Sequence, residues 1–420
     1  MRIFVCGASG FIGQAIAHHL VSAGHDVVRG VRKPTLSCDI TIDFSTDTDI
    51  QKWSKRLTGI DVVVNAVGII SESPSTRFEY VHYKVPAALF AACVTAGVKR
   101  IVQISALGAE YGDTSYFKTK YAADQMLMSL PIEWQILRPS LVYGTEGVSA
   151  SMFRMLASLP VIPIPELGQA TFQPIHIDDL VEGLEHAIDP LVPAGQQINM
   201  VGRSPVTYRA MLESYRRSMG FEEPLYLTIP AILMGIIAKM SAVLPGTALT
   251  PENWKMLQAG SSGDSTNITR LLGRRPTGLE NFIPPSCAEL LRLRALSAWR
   301  TKLLQYALAL VWIATACISA FVYPMVDSLA LLKHVGLVGG LATTVLYGSS
   351  VLDLAMGVAC IKYPSRALWG WQAMLVIGYT AIIAIAIPAF LTHPFGPVIK
   401  NLPILAILFI LFAESKAWTT

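Results

Sequence analysis

The chain has 420 residues, six cysteines and a formal net charge of +4. Its 52% hydrophobic content with only 15% charged residues and its mean hydropathy of +0.47 are high for a soluble protein, and so small a charge, without a basic-aromatic run, excludes nucleic acid as a partner. The cysteines (Cys6, Cys38, Cys93, Cys287, Cys317, Cys360) form no CxxC and no Cys/His cluster, which excludes a metal site and a disulfide framework and leaves reduced thiols in a cytoplasmic compartment.

In chain order, "RIFVCG" reads as a buried strand, and its apolar run stops at Gly7, too soon for a signal peptide. "IGQAIAHHLVSAG" has helical periodicity, "HDVVRGVR" and "GIDVVVNAVG" read as strands, "PAALFAACVTAGV" as a helix and "KRIVQIS" as a further strand. Strands alternating with helices predict an α/β fold with a doubly wound parallel sheet covered on both faces. From Pro139 the pattern loosens at Pro160, Pro163, Pro165 and Pro174; helices follow at "YRAMLESYRRSMG" and at "LTPENWKMLQAG", where Thr250 caps and Pro251 takes the first helical position. "TIPAILMGIIAKMSAVLP", Thr228 to Pro245, is strongly apolar and carries Lys239; a core helix, a lid over an apolar pocket and a helix in the bilayer interface all fit it.

Beyond Lys302 charges become scarce, and four apolar blocks lie at about Leu303–Val322, Val335–Ile361, Leu368–Phe390 and Pro397–Phe412. A span needs roughly 20 apolar residues, so an all-α bundle of four transmembrane helices is expected. Arg292, Arg294, Arg300, Lys302, Lys362, Arg366 and Lys416 fall on one side, and only Lys333 and Lys400 on the other. The positive-inside bias then makes this a multi-pass protein of the inner (cytoplasmic) membrane with both termini and the first half in the cytoplasm. Asp353, inside the second block, is costly there; it is either functional or paired with Ser349 or Ser350.

"CGASGFIG" sets Gly7, Gly10 and Gly13 after the first strand and at the start of the first helix, with Ser9, Phe11 and Ile12 between them. Glycine permits the tight turn, the approach of a pyrophosphate and close helix–strand packing, and the helix start offers free N–H groups. The end of the second strand has Arg29, Arg32 and Lys33 instead of the acid expected of an NAD site. A guanidinium suits a 2′-phosphate, so NADP is the favoured cofactor with Arg32 as leading contact and Lys33 beside it, NAD remaining open. Asp43, ending the third strand beside Phe44, either frames the adenine or is a turn residue.

"SYFKTKYAADQ" places Tyr116 and Lys120 on one helix face. Together with the glycine loop, "VNAVG" (Asn65 to Gly68), "ISALGA", "LRPSLVYG" and "PIHIDDLV", in this order, the first 290 or so residues resemble the short-chain dehydrogenase/reductase superfamily. The likeness is to its extended and atypical branch, which includes the nucleotide-binding accessory subunit of respiratory complex I. The last part resembles the DoxX-like four-helix family. The resemblance implies a Rossmann-type NAD(P)-binding domain over residues 1–205, a small mostly helical substrate lobe over 206–295 with part of 140–180, and a DoxX-like membrane domain over 303–420. It also implies Ser105 polarising the substrate, Tyr116 moving the proton and Lys120 holding the nicotinamide ribose and lowering the phenol pKa. Asn65, Gly68 and Pro139 would flank the cofactor. His82 stands where the family often has a relay asparagine, and either relays or packs. In "QPIHIDDL", Asp178 or Asp179 caps a helix.

The implied function is a membrane-anchored NAD(P)(H)-dependent oxidoreductase acting on a small lipophilic carbonyl or alcohol, or a quinone-like molecule reached from the lipid bilayer. The alternatives are a non-catalytic subunit or assembly factor of a membrane redox complex, and an NAD-dependent epimerase/dehydratase.

Overall fold

The computed structural model describes residues 1–241, 249–392, 396 and 398–415. Pro245, Pro397 and Lys416, all used in the sequence reading, lie outside the described residues. The chain divides into two compact units, Met1–Ala295 and Leu296–Thr420. The division falls inside the helix Pro285–Cys317, before residue 303, because Leu291 and Ala295 are buried in the core of the first unit.

The first unit is built on seven strands: β1 (Arg2–Cys6), β2 (Asp26–Val31), β3 (Ile40–Thr41), β4 (Val62–Asn65), β5 (Arg100–Ile104), β6 (Glu133–Pro139) and β7 (Gln196–Met200). They lie in the order β7-β6-β5-β4-β1-β2-β3, every neighbouring pair parallel. Parallel strands need crossovers, which cover both faces, so these strands are apolar on both sides. In β1, Ile3 and Val5 enter one core with Ile16 and Leu20 of the first helix, Phe11–Ser22. Phe4 and Cys6 enter the opposite core with Trp53, Leu89 and Phe90. The strand order reverses between β1 and β4, and in such sheets the ligand crevice lies beyond the carboxyl ends of the strands at that point.

A third core joins Tyr143, Phe153, Ile162 and Phe172 to Tyr208, Met211, Tyr215, Phe282 and Leu291. Segments from residues 140–175, 206–226 and 279–295 thus share one hydrophobic centre beside the sheet.

Among the described residues three helices are long and apolar enough to cross a membrane: Pro285–Val322, which begins in the first unit, and Gly339–Lys362 and Arg366–Ala386 of the second. The first of these ends in a π-helical turn, Ile318–Val322. The fourth expected span is shorter: helix begins at Asn401 and ends at Glu414, about 21 Å at 1.5 Å per residue against a hydrocarbon core of about 30 Å. The block at Val335 becomes helical only from Gly339, because Gly336 and Gly339 turn with φ of 83° and 60°. The next helix stops before Pro388, which cannot continue it. Inside this unit Gln372 accepts from Trp312 Nε1 at 3.1 Å and donates to the Met356 carbonyl at 3.3 Å. Asp353 is buried, and its Oδ1 has no partner among the described residues. Ser349 and Ser350 do not pair with it; both hydroxyls donate to the Leu346 carbonyl of their own helix.

Candidate active site

The phosphate end of the crevice is made of backbone. Gly7 turns with φ of 80°, and the N–H groups of Gly7 and Ala8 both donate to the Gly30 carbonyl, at 2.9 and 3.2 Å. A Cβ on Gly13 would lie 2.2 Å from the Gly7 carbonyl oxygen, so only glycine lets the helix start this close to the strand. Gly10 is the N-cap; no side chain caps the helix, and its first turn holds no acid. Ser9 and Gly10 are exposed, Phe11 and Ile12 half-buried. The Phe11 ring fills the space beside Gly144, where a Cβ would come within 2.6 Å of it. An uncapped helix start behind a turn that excludes Cβ atoms fits a dinucleotide pyrophosphate.

At the carboxyl end of β2 the three basic residues separate. Arg29 pairs with Asp39 at 3.5 Å, while Arg32 and Lys33 are exposed. Asp43 accepts from the N–H and the hydroxyl of Ser45, at 2.9 and 2.6 Å. Chiefly that hydroxyl, with help from the Arg32 guanidinium, holds its carboxyl below the usual range. Asp43 thus holds the turn that follows β3, and Phe44 is buried edge-on to Trp53 with centroids 5.9 Å apart.

The reactive end is made of side chains. At the end of β4, Asn65 donates to Gln103 at 2.8 Å and accepts from the Val67 N–H at 3.3 Å. This sets the loop to Gly68 against the glycine turn, where a Cβ on Gly7 would lie 3.0 Å from Val67 Cγ2. Lys120, on the helix Ser115–Met128, is buried and donates to the carbonyls of Ile104 and Val67, at 3.0 and 3.4 Å. Its ammonium would stand 3.2 Å from a Cβ on Gly68. Burial lowers its pKa to about 8, against the opposing pull of Asp124. Tyr116 is wedged edge-on against His82, Phe78 and Phe117. Burial pushes its phenol up to about 12. The lysine therefore does not lower the phenol pKa in this state: the ammonium is engaged with backbone carbonyls, and desolvation governs the tyrosine.

Ser105, directly after the end of β5, is engaged inside the fold. Its hydroxyl donates to Asp124 Oδ2 at 2.7 Å, in the interior. Asp124 is raised to about 6, by burial first, opposed by Ser105 and Arg138. Arg138 stands 3.6 Å from the same oxygen and also bonds Glu110. The sequence reading missed Asp124, although its position carries a signal: it follows Lys120 by four residues and Tyr116 by eight, on the same helix face. Pro139 ends β6 opposite Met200 and accepts from the Leu107 N–H at 3.0 Å.

His82 sits in a π-helical turn, Glu79–Lys84. Its Nε2 accepts from the Ile69 N–H at 3.1 Å, so the ring proton lies on Nδ1, which faces Thr119 Oγ1 at 3.1 Å. Burial and the Lys120 charge lower its pKa to about 2. The ring is a packed, neutral clamp between the loop after β4 and the tyrosine helix. In "PIHIDDL" the helix Ile177–Ile188 is capped by His176 and by neither aspartate: its Nδ1 accepts from the Asp178 N–H at 3.3 Å. Asp179 instead receives Thr277 and Arg274.

Residues 3–200 match the NAD dependent epimerase/dehydratase family, and residues 309–409 match the DoxX-like family. The mouse mitochondrial NADH dehydrogenase [ubiquinone] 1 alpha subcomplex subunit 9 is 27% identical over 200 residues, covering 44% of this chain and 52% of that protein. The Neurospora crassa mitochondrial NADH-ubiquinone oxidoreductase 40 kDa subunit is 24% identical over 245 residues, covering 56% and 64%. The match thus spans about half of the mouse relative's length. Among solved structures, the NADPH-dependent quinone oxidoreductase of Escherichia coli complexed with NADPH aligns with a TM-score of 0.54 at 18% identity, covering 67% of this chain and 98% of that one.

The chain therefore joins an NAD(P)-binding Rossmann domain of the epimerase and short-chain dehydrogenase type to a C-terminal DoxX-like domain. It is homologous to accessory subunits of mitochondrial complex I, and its long apolar helices mark it as a membrane protein.

Proposed function

We propose that the protein is a membrane-anchored, NADP(H)-dependent oxidoreductase acting on a lipophilic carbonyl, alcohol or quinone-like substrate, with its cofactor domain in the cytoplasm. The observation that carries this reading is the junction of an uncapped, Cβ-free phosphate turn with a Tyr116/Lys120 helix whose ammonium reaches the loop packed on that turn. Gly7, Gly10 and Gly13 would hold the pyrophosphate, Arg32 and Lys33 a 2′-phosphate, and Asn65, Gly68 and Pro139 the nicotinamide side. The cofactor, when bound, supplies or takes the hydride. Tyr116, held at about 12, keeps its proton at neutral pH, which suits donation to a carbonyl oxygen. Lys120 would turn from its carbonyl partners to the ribose. The DoxX-like domain in the same chain favours a substrate drawn from lipid.

Two observations favour a second reading, a nucleotide-binding subunit without turnover: Ser105 is held by Asp124, and the mouse and Neurospora crassa relatives are subunits of the mitochondrial NADH dehydrogenase. Epimerase or dehydratase chemistry would use the same residues but gives no role to the membrane domain. The deciding experiment compares wild type with Tyr116→Phe in detergent, following NADPH oxidation against a panel of quinones and lipophilic carbonyls. The oxidoreductase reading expects wild-type turnover that falls at least about a hundredfold in the variant, with NADPH binding retained. Binding without turnover in both chains defeats it in favour of the subunit.

A further inference from the structure

The strand Leu225–Ile229 and the helix Ala231–Ser241 in the first unit break the usual rule for an apolar helix. A helix in water buries its large apolar residues and exposes its polar ones. Here the buried position is Ala238, and a Cβ on Gly235 would lie 3.8 Å from Trp254 Nε1 of the helix Pro251–Ala259. The large side chains point outward: Ile232 is 81% exposed, Met240 70% and Leu225 72%, with Leu227, Leu233 and Ile236 also exposed. Between Leu225 and Ser241 there is no acid, and the one charge is Lys239, also exposed. The strand pairs with Val161–Pro165 and holds the helix to the third core, so the outward face belongs to a folded element.

We propose that this segment docks on the surface of a lipid bilayer, with the outward face of the helix among the headgroups and upper acyl chains. Lipid is favoured over a protein partner for two reasons. Among the described residues the chain itself has three helices long and apolar enough to cross a membrane, and the first of them, Pro285–Val322, begins within this unit and buries Leu291 and Ala295 in its third core. The covalent link therefore keeps bilayer at high effective concentration. The acid-free face with its single lysine also matches an anionic lipid surface, since lysine buries its stem while its ammonium stays with the headgroups. A helix of this length, about 16 Å, lies in the interface and does not span. The inference does not depend on what the cofactor site catalyses.

The test uses the full chain in nanodiscs of mixed zwitterionic and anionic lipid, with Cys38, Cys287 and Cys317 changed to serine. Ile232→Cys, Ile236→Cys and a control, Leu191→Cys, carry an environment-sensitive fluorophore; melting curves establish that each variant is folded. The expected result is blue-shifted emission at 232 and 236, quenched several-fold more by nitroxide lipid than at 191 and shielded from iodide. Iodide quenching equal to the control without nitroxide quenching overturns the proposal. So does shielding from both quenchers that appears only in discs holding two copies, which is a contact between copies, or only on adding a lipophilic alcohol, which is a lid. Should labelling unfold the variants, oxidative footprinting of the unaltered chain decides: Met240 must oxidise several-fold more slowly than Met1, which is the less exposed of the two at 42%. Oxidation at the rate its exposure dictates overturns the docking.

Discussion

The phosphate end of the crevice is made of backbone and the reactive end of side chains, and the two differ in what they leave unsatisfied. At the glycine turn the helix start carries no side-chain cap, and the tight packing depends on missing Cβ atoms. At the other end Lys120 is bonded to two carbonyls, Ser105 to Asp124 and His82 to Ile69 and Thr119. A backbone site is ready for its ligand as folded. A side-chain site that has satisfied itself must exchange those bonds when the ligand arrives, so part of the binding energy is spent on rearrangement. The same fold thus holds a preorganised backbone turn and a side-chain cluster that is closed on itself.

The largest effect expected on the anchor comes from Gly13→Val. Its Cβ would meet the Gly7 carbonyl at 2.2 Å, and overpacking of this kind costs about 3 kcal/mol. A fluorescence titration should show NADPH binding lost, with a lower melting temperature. Retained binding would mean that the turn is not the phosphate site.

The reactive end is tested by Lys120→Met. The folded pKa of Lys120 is about 8 and its ordinary value 10.5. Between those values the unfolded chain holds a proton that the folded one has lost, so the stability contributed at this site rises with pH across that window and is absent below it. Wild type should gain on Lys120→Met by at most about 3 kcal/mol from pH 8 to pH 10.5. Denaturant melts of the two chains at several pH values check this. Parallel curves would show that the ammonium is not desolvated.

Arg32→Ala sharpens the comparison at the anchor's outer edge. Loss of one charge-assisted contact to a 2′-phosphate weakens NADPH about tenfold, and NADH should be unchanged. Equal loss for both cofactors would remove Arg32 from the 2′ position.

How far the sequence could be read follows the same division. The parallel sheet was legible because its strands are short apolar runs alternating with helices, and the phosphate turn because glycine spacing is a backbone property written in residue types. The hold of Asp124 on Ser105 was not, because it joins residues 19 apart in sequence that only packing brings together. Nor was the direction of the tyrosine shift, which depends on whether a neighbouring cation or a dry surround governs the phenol. In the membrane unit hydropathy found the blocks but not where their helices start and stop, which Gly336 and Gly339 decide at one start and Pro388 at one end.

The cap of the Ile177–Ile188 helix shows the limit at a single residue. Residue preference points to Asp178 or Asp179, but the cap lies two residues before the first of these, with His176 extended and its Nδ1 accepting from the Asp178 N–H. The His176 ring also packs on Tyr143 and Phe282, so truncation to alanine would mix two losses. His176→Phe keeps a ring of similar shape and removes the acceptor, and should cost about 0.5–1 kcal/mol of stability by denaturant melts. Asp178→Ala removes only an exposed partner of the histidine and should cost less. The reverse order would return the cap to the aspartate, and the helix would then begin where residue preference alone puts it.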